Sequence, residues 1–290
     1  MFVNQHSLWR LGDVFRLMRP RGVMLLYLPC LWGLIVASGG QPRWQDLLLF
    51  LWGAFLTRSV GCAYNDWVDQ DIDCHVTRTQ QRPLAQKDVS LVALGCASGV
   101  MLVLALWVLV QLSMAAIYGG LLAALLVLPY PWLKRVTYWP QLYLGFLFSS
   151  GIWVAWFQVN PDFRSVTFAP FLLYGAGILW TLYYDTVYGY QDRVDDSKVG
   201  VKSTSLLWGD HPGIFFVCCL VGMMVCLVAL GWSEQWGWPY FLGLGLAAGH
   251  LGWQQWHLDI REPQSCLRVF LANPWTGLWV AFCLWIGCVS

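Results

Sequence analysis

Directly after the apolar segment 45–64, the chain reads Asn65-Asp66-Trp67-Val68-Asp69-Gln70-Asp71-Ile72-Asp73. A second acidic stretch, 185–196, follows another apolar segment and contains Asp185, Asp192, Asp195 and Asp196. These stretches, here called the first and second acidic clusters, hold eight of the 16 acidic residues in the chain. Acidic side chains at the ends of membrane helices are costly to place and usually functional. Two such clusters on one side of a membrane are typical of a site for Mg²⁺ and a polyphosphate.

The composition indicates a membrane protein. Hydrophobic residues make up 58% of the chain and charged residues 11%, whereas soluble domains are about 25% charged. Apolar runs of about 20 residues, the length of a spanning helix, recur along the whole chain. The net charge of +1 gives no case for nucleic-acid binding. The 10 cysteines include no CxxC pair and most lie in apolar runs, which favours small membrane-embedded residues over a disulfide frame or a zinc site.

The hydrophobic pattern predicts an all-α fold, a polytopic membrane protein with nine transmembrane helices. We also expect a central cavity that opens to the cytoplasm. The predicted spans are 22–39, 45–64, 90–112, 114–132, 139–158, 166–184, 214–232, 237–255 and 269–288. We expect one domain, 1–290, in which two four-helix pseudo-repeats, 22–132 and 139–255, precede a ninth helix. The clusters follow spans two and six, so the repeats would be parallel and would share a site at their interface.

The distribution of basic residues predicts the orientation. The N-terminus and the segments 65–89, 133–138, 185–213 and 256–268 fall on one side and carry 14 of the 17 Lys and Arg residues. The other side carries Arg43 and Arg164, and Arg58 lies within a span. Loops rich in Lys and Arg remain in the cytoplasm. Both clusters should therefore face the cytoplasm, and we expect the chain in a bacterial inner (plasma) membrane.

The spacing of the acids predicts metal ligands. Asn65, Asp69 and Asp73 are four residues apart, which places them on one helix face, and Arg58 continues that face into the membrane. In the second cluster, the pattern of Asp185, Gly189, Asp192 and Asp196 is similar. Carboxylates packed so densely repel one another without a counter-cation, and Mg²⁺ binds such oxygen ligands. The predicted metal ligands are Asn65, Asp66, Asp69, Asp73, Asp185, Asp192 and Asp196.

Basic residues follow each cluster. Because Arg and Lys beside Mg²⁺ suit phosphate oxygens, we expect Arg78, Arg82 and Lys202 to contact a diphosphate. The same cations would also serve as anchors that set the topology. Two other interpretations of the acids are a solvated loop and a cation-transport site. A transporter would need acids near mid-membrane, whereas these lie at helix mouths.

The motifs carry a family resemblance. Asn65-Asp66-x-x-Asp69-x-x-x-Asp73 followed by Arg78-Thr79-x-x-Arg82-Pro83-Leu84 resembles the first signature of the UbiA family of intramembrane aromatic prenyltransferases. Asp185-Thr186-x-Tyr188-x-x-x-Asp192-Arg193-x-Asp195-Asp196-x-x-x-Gly200-x-Lys202-Ser203-Thr204 resembles the second, in the form typical of the branch that prenylates 4-hydroxybenzoate. Arg19-Pro20 and Tyr138-Trp139-Pro140-Gln141-Leu142 fit the same branch. Two stretches depart from the family pattern, Ala85-Gln86-Lys87 and Phe148-Ser149-Ser150-Gly151.

The resemblance implies an activity. It implies Mg²⁺-dependent transfer of a polyprenyl group from a polyprenyl diphosphate to carbon 3 of 4-hydroxybenzoate, with release of diphosphate, in ubiquinone biosynthesis. The implied catalytic residues are Asp69, Asp73, Asp192 and Asp196. The implied substrate-binding residues are Asn65, Arg58, Arg78, Arg82, Arg135 and Lys202. Arg58 is the first candidate for the acceptor carboxylate and Arg135 the second, although Arg135 would equally serve as a cytoplasmic anchor.

We expect the partners of the protein to be the two substrates and the lipid bilayer, from which the prenyl tail would enter sideways between helices. We expect no obligate protein partner. Another acceptor, such as a naphthoate, homogentisate or haem, is the alternative within the enzyme class. A cation transporter is the alternative from a different class.

Overall fold

The structure, a computed structural model, describes residues 5–17 and 20–290, so Arg19 of the expected Arg19-Pro20 motif lies outside the described residues. The described chain contains helices and no strand, which confirms the all-α class. The thirteen α-helices are α1 Gln5–Val14, α2 Pro20–Ala37, α3 Trp44–Asp73, α4 Leu91–Leu109, α5 Met114–Val127, α6 Tyr130–Val136, α7 Pro140–Val159, α8 Ala169–Gly189, α9 Arg193–Val199, α10 Thr204–Trp208, α11 Gly213–Ser233, α12 Trp238–Trp256 and α13 Pro263–Val289.

Six of the described helices are long and apolar enough to cross a membrane, namely α2, α3, α4, α7, α11 and α13. A seventh span results if α5 and α6, bent by 41° at Leu128–Pro129, form one broken span. The helices α8 and α12 occupy the other two predicted spans, with 21 and 19 residues, but neither is among the six. The chain is thus a multi-span membrane protein with six or seven evident spans.

The centre of the bundle is formed by α2, α7, α8 and α13, which pack on one another. Close approach is possible because Gly33 of α2 lies against the backbone of Ile152, where an added Cβ would be 2.9 Å from the carbonyl oxygen. Gly145 of α7 approaches Ile178 of α8 in the same way. Small residues at such crossings drive helix association in lipid, where no hydrophobic effect operates between helices.

Both clusters lie mainly on helices, as the spacing of the first cluster predicts. The helix α3 continues through the whole first cluster, because no Gly or Pro interrupts it between Cys62 and Asp73. The second cluster is divided: α8 ends at Gly189 and α9 begins at Arg193. A turn closed by the backbone bond from Asp192 N–H to the Gly189 carbonyl, 3.3 Å, separates them. The single helix face expected for the second cluster is therefore wrong.

The N-terminal helix α1 rests on the first cluster. Val14 and Phe15 are buried against Ala63 of α3 and against Leu84 in the loop that follows the cluster. Arg10 adds an ion pair to Asp88 of 3.2 Å. This packing brings Arg16, just after α1, to the mouth of α3.

Candidate active site

The three acids of the first cluster that face inward are almost fully buried at the end of α3. Asp66, Asp69 and Asp73 are 2%, 2% and 5% exposed. Burial of carboxylates is tolerated only where cations or hydrogen bonds compensate them. Each of the three accordingly has a basic partner from another part of the chain.

Arginine side chains compensate Asp66 and Asp73. Arg82 Nη1 lies 2.9 Å from Asp66 Oδ1 and 2.6 Å from Asp73 Oδ2, so one nitrogen bridges the two acids. Arg16 Nη2 donates to the same Asp66 oxygen at 2.7 Å. The loop that carries Arg82 is held against the helix end by Thr79, whose hydroxyl donates to the Asp73 carbonyl at 3.1 Å.

Asp69 has one satisfied oxygen and one free oxygen. Its Oδ2 accepts from Lys134 Nζ at 2.7 Å and from Asn65 Nδ2 at 2.8 Å. Its Oδ1 is buried and has no hydrogen-bond partner within the described residues. A buried carboxylate oxygen without a partner is costly unless another group completes it.

The structure brings the two clusters together through the loop that follows α3. Arg78 Nε donates to Asp192 Oδ1 at 2.7 Å, and Arg78 Nη2 contacts the other oxygen of the same carboxylate. Arg78 Nη1 also donates to the hydroxyl of Tyr188 at 2.8 Å. One residue earlier, the backbone N–H of Thr77 donates to Asp195 at 3.0 Å. Hydrogen bonding from Thr77 and Lys198 lowers the pKa of Asp195 to about 2.

Two acids of the second cluster lack such partners. The carboxylates of Asp185 and Asp196 make no hydrogen bond to another described side chain or backbone group, and both are half-buried. Burial, followed by the nearby charge of Asp192, raises the pKa of Asp196 to about 7. Arg58 and Arg78 are the cations whose charges act on Asp185.

The residues present fit a hard divalent cation. The candidate ligand atoms are carboxylate and amide oxygens, which Mg²⁺ prefers. Asp69 offers an oxygen without a partner, and Asp185 and Asp196 offer complete carboxylates. No three His, Cys, Asp or Glu side chains converge as a preformed metal site in the described parts of the chain. Basic side chains neutralise the acids instead.

The three other predicted binding residues take no part in these ion pairs. Arg58 packs over the ring of Phe148, 5.4 Å from its centroid, and alongside Gly22. Arg135 donates to the Val68 carbonyl at 3.0 Å. Lys202 donates to the Val136 carbonyl at 3.0 Å. No ion pair joins any of these three to either cluster within the described residues.

Three site residues, Arg16, Lys134 and Tyr188, are not predicted by the sequence pattern. Arg16 and Lys134 belong to the basic residues that predict the topology, because nothing local distinguishes a charge that anchors a loop from one that reaches an acid. Tyr188 offered a signal, since it lies one helical turn from both Asp185 and Asp192. Its hydroxyl and ring both contact Arg78, with the guanidinium carbon 5.0 Å from the ring centroid.

A buried acid at the other end of α3 is separate from this site. Asp46 accepts from Arg43 at 2.7 and 3.0 Å and from Gln158 Nε2 at 2.8 Å. It lies 23 residues before Asp69 on the same helix, about 35 Å at 1.5 Å per residue. That distance is about the thickness of a bilayer core, so this polar network belongs to the opposite membrane surface.

Comparison with known proteins identifies the family. The model of the UbiA prenyltransferase family matches residues 26–280. The chain belongs to the UbiA prenyltransferase family. The resemblance inferred from the two aspartate signatures is thereby confirmed, and the chain is a prenyltransferase by family.

Several UbiA relatives are similar over most of the chain. A human protein named 4-hydroxybenzoate polyprenyltransferase, mitochondrial, is 40% identical over 276 residues, 94% of this chain and 74% of its own length. The 4-hydroxybenzoate octaprenyltransferase of Tolumonas auensis is 39% identical, covering 97% of this chain and 96% of its own. That of Pseudomonas aeruginosa is 36% identical, covering 93% and 90%.

Solved UbiA structures share the fold. An apo UbiA homolog from Aeropyrum pernix K1 has a TM-score of 0.75 at 22% identity, covering 88% of this chain and 94% of its own. A UbiA homolog from Archaeoglobus fulgidus bound to DMAPP and Mg²⁺ has a TM-score of 0.73 at 14% identity, covering 96% and 97%. The arrangement of helices is therefore that of UbiA proteins.

Proposed function

We propose that this protein transfers a polyprenyl group from a polyprenyl diphosphate to carbon 3 of 4-hydroxybenzoate, with Mg²⁺ as cofactor, in ubiquinone biosynthesis. The observation that carries the proposal is the contact of Arg78 with Asp192, which sets the two acidic clusters face to face. The names of the relatives at 36–40% identity support the choice of substrates. The UbiA homolog structure bound to DMAPP and Mg²⁺ supports the choice of metal.

The acids would hold the metal and the basic side chains the diphosphate. We assign Asp69, Asp73, Asp192 and Asp196 as the catalytic ligands, supported by Asn65, Asp66 and Asp185. Mg²⁺ bound there would neutralise the charge that develops on the departing diphosphate. Arg78, Arg82 and Lys134 lie on these acids and would donate hydrogen bonds to phosphate oxygens. Lys202 would join them if its loop closed toward the clusters.

The reaction exchanges one bond for another. The C–O bond between the prenyl carbon and the diphosphate breaks, and both electrons leave with the diphosphate. The allylic cation that develops is attacked by carbon 3 of the phenol ring, which then loses its proton as the ring regains aromaticity. Asp192 is our candidate to orient or accept the phenol proton. The site must exclude water while this cation exists, because water would quench it.

The acceptor carboxylate needs a cation deeper than the diphosphate. Arg58 lies two helical turns below Asn65 on α3, and its guanidinium makes no hydrogen bond to another described residue. A charge at that depth is expected to have a functional partner. We assign it to the carboxylate of 4-hydroxybenzoate. Arg135, already bonded to the Val68 carbonyl, is the second candidate.

The membrane arrangement follows from the charge distribution. We propose nine spans, with α8 and α12 crossing the bilayer in addition to the evident ones, and a central cavity that opens to the cytoplasm. The two four-helix pseudo-repeats, 22–132 and 139–255, would share the site. The excess of Lys and Arg on the side of the clusters supports a cytoplasmic active site. We assign the protein to a bacterial inner membrane, which its bacterial relatives support.

An assay with several acceptors tests the function. Membranes containing the protein are incubated with labelled 4-hydroxybenzoate, Mg²⁺ and prenyl diphosphates of different lengths, and the lipid-soluble product is measured. Homogentisate and a hydroxynaphthoate serve as competing acceptors, and membranes with the Asp69→Ala, Asp192→Ala double variant as the control. We expect label in the lipid fraction with the wild type alone. Product from another acceptor but none from 4-hydroxybenzoate would overturn the substrate assignment.

A further inference from the structure

We propose that the basic side chains of the site are exchange partners, which leave carboxylates for phosphate oxygens when metal and diphosphate arrive together. Mg²⁺ and the prenyl diphosphate would therefore bind as a mutually dependent pair, each weakly without the other. This inference rests on the proposed function and concerns how its two charged ligands are admitted.

Basic residues form ion pairs with acids of both clusters. Lys134 pairs with Asp69, Arg82 pairs with Asp66 and Asp73, and Arg78 pairs with Asp192. The cations come from two segments, α6 and the loop after α3, and the acids come from α3 and from the turn before α9. Each cation is thus bound to an acid that we assign as a metal ligand.

The burial of the two partners is unequal. The carboxylate side chains of Asp69 and Asp73 are 2% and 7% exposed, whereas those of Lys134 and Arg82 are 23% and 21% exposed. The side chain of Asp192 is likewise less exposed than that of Arg78, at 13% against 33%. In each pair the acid is the more deeply buried partner and the cation lies nearer the solvent. A cation can therefore turn toward a ligand at the mouth while its acid stays in place.

The energetics make single binding unfavourable. A diphosphate alone would have to draw Lys134 or Arg82 away and leave a buried carboxylate without a partner, which is strongly destabilising. Mg²⁺ alone could reach only the free oxygens of Asp69, Asp185 and Asp196. To gain Asp73 and Asp192 as ligands, it would have to displace their cations and leave like charges crowded together. When both bind, Mg²⁺ replaces the cation on the acid and a phosphate oxygen replaces the acid on the cation. No buried charge is then left unpaired.

Arg16 gives Asp66 a second cation during this exchange. It donates to the same Asp66 oxygen as Arg82, at 2.7 Å, and it follows directly on Val14 and Phe15, which are buried against the protein. When Arg82 turns to the diphosphate, Asp66 keeps one cation. Arg16 is in this sense a positioning residue that holds Asp66 through the exchange.

Calorimetric titration of the purified protein tests the coupling. Mg²⁺ is titrated with and without geranyl S-thiolodiphosphate, whose C–S bond resists cleavage, and the analogue is titrated with and without Mg²⁺. The complex of Mg²⁺ with the analogue in buffer is measured separately and subtracted. We expect each ligand to tighten the other by about tenfold or more, and by the same factor in both directions, because coupling free energies are reciprocal.

Two variants locate the coupling. Lys134→Met removes the cation that pairs with the Asp69 carboxylate. We therefore expect the variant to bind Mg²⁺ alone more tightly than the wild type does and the analogue alone more weakly. The coupling factor should fall. Arg10→Gln removes an ion pair of 3.2 Å with Asp88 outside the clusters and should leave the coupling factor unchanged.

The outcomes separate this inference from the function. Independent binding of the two ligands to the wild type, within about twofold of additivity, overturns the exchange and leaves the proposed function intact. Failure of the wild type to bind the analogue even with Mg²⁺ overturns both. Weaker binding of Mg²⁺ alone in Lys134→Met, with its thermal unfolding unchanged, also overturns the exchange, because it would mean that Lys134 does not compete with the metal.

Discussion

Arg78 and Asp192 face each other across 114 residues of sequence, with Arg78 Nε 2.7 Å from Asp192 Oδ1. Asp192 is the N-cap residue of α9, and Arg78 belongs to the loop after α3. The pair therefore joins the loop that follows the first acidic cluster to the second cluster. Tyr188 supports the pair with a hydrogen bond and with its ring.

The paired clusters predict a strict requirement for metal and for one acid from each cluster. Asp69→Ala and Asp192→Ala should each lower kcat by about 100-fold or more, the usual result of losing one preorganised electrostatic contact to the transition state. EDTA should abolish turnover. The measurement is prenyl transfer by purified variants whose helicity and yield match the wild type. Turnover within about threefold of the wild type in either variant or in EDTA would contradict the metal site.

Arg58 should discriminate the acceptor rather than the diphosphate. Its guanidinium lies over Phe148, deeper in α3 than the acids, where a benzoate carboxylate would be its natural partner. Arg58→Ala should raise the apparent KM for 4-hydroxybenzoate much more than that for the prenyl diphosphate. Steady-state kinetics with each substrate varied separately gives the answer. A parallel rise in both KM values would mean that Arg58 is structural or binds phosphate.

The contacts of Arg78 predict a graded series. Tyr188→Phe removes the hydroxyl that Arg78 Nη1 contacts at 2.8 Å but keeps the ring, so we expect kcat to fall by less than about tenfold. Arg78→Lys loses the two-nitrogen contact with Asp192, which a lysine cannot reproduce, and we expect a fall of about 100-fold. Single-turnover rates at saturating substrates test the order. A larger loss for Tyr188→Phe than for Arg78→Lys would contradict it.

Asp46 should affect stability and not chemistry. Its carboxylate is 1% exposed and holds Arg43 and Gln158 at the opposite membrane surface. Asp46→Ala leaves the Gln158 amide without its acceptor, which should cost about 1–3 kcal/mol. Thermal unfolding in detergent should show a lower midpoint, while kcat per folded molecule is retained. Gln45 is an exposed neighbour, so Gln45→Ala is the control and should change neither the unfolding midpoint nor kcat. Loss of kcat in folded Asp46→Ala would contradict the separation of the two networks.

The loop regions 65–89 and 185–213, each of which begins with the end of a membrane helix, should become more protected when diphosphate binds. They carry both clusters, and the bond from Thr77 N–H to Asp195 already joins them. Closure over the diphosphate would exclude water while the allylic cation forms. Hydrogen exchange is compared with and without Mg²⁺ plus geranyl S-thiolodiphosphate. Slower exchange is expected in both loops. Protection in one loop alone would show that the two halves do not close over a shared site.

The sequence by itself determined the class of the protein and the identity of the acids. Composition and apolar periodicity are properties of segments, and a span must satisfy its own backbone hydrogen bonds as a helix whatever it packs against. The all-α membrane class could therefore be predicted without a partner for any helix. The aspartate signatures were sufficient for the family, because their spacing is a local feature.

Only the tertiary structure decided which cation meets which acid. Arg16, Lys134 and Arg78 reach carboxylates that lie 50, 65 and 114 residues away along the chain. Such pairings depend on how helices cross and on how loops fold back, and no local pattern encodes them. The division of the second cluster between α8 and α9 was missed for a related reason. A regular spacing of acids fits one continuous helix as well as two helices joined by a turn. In the structure, Asp192 and Asp195 contact the loop after α3 in the second of these arrangements.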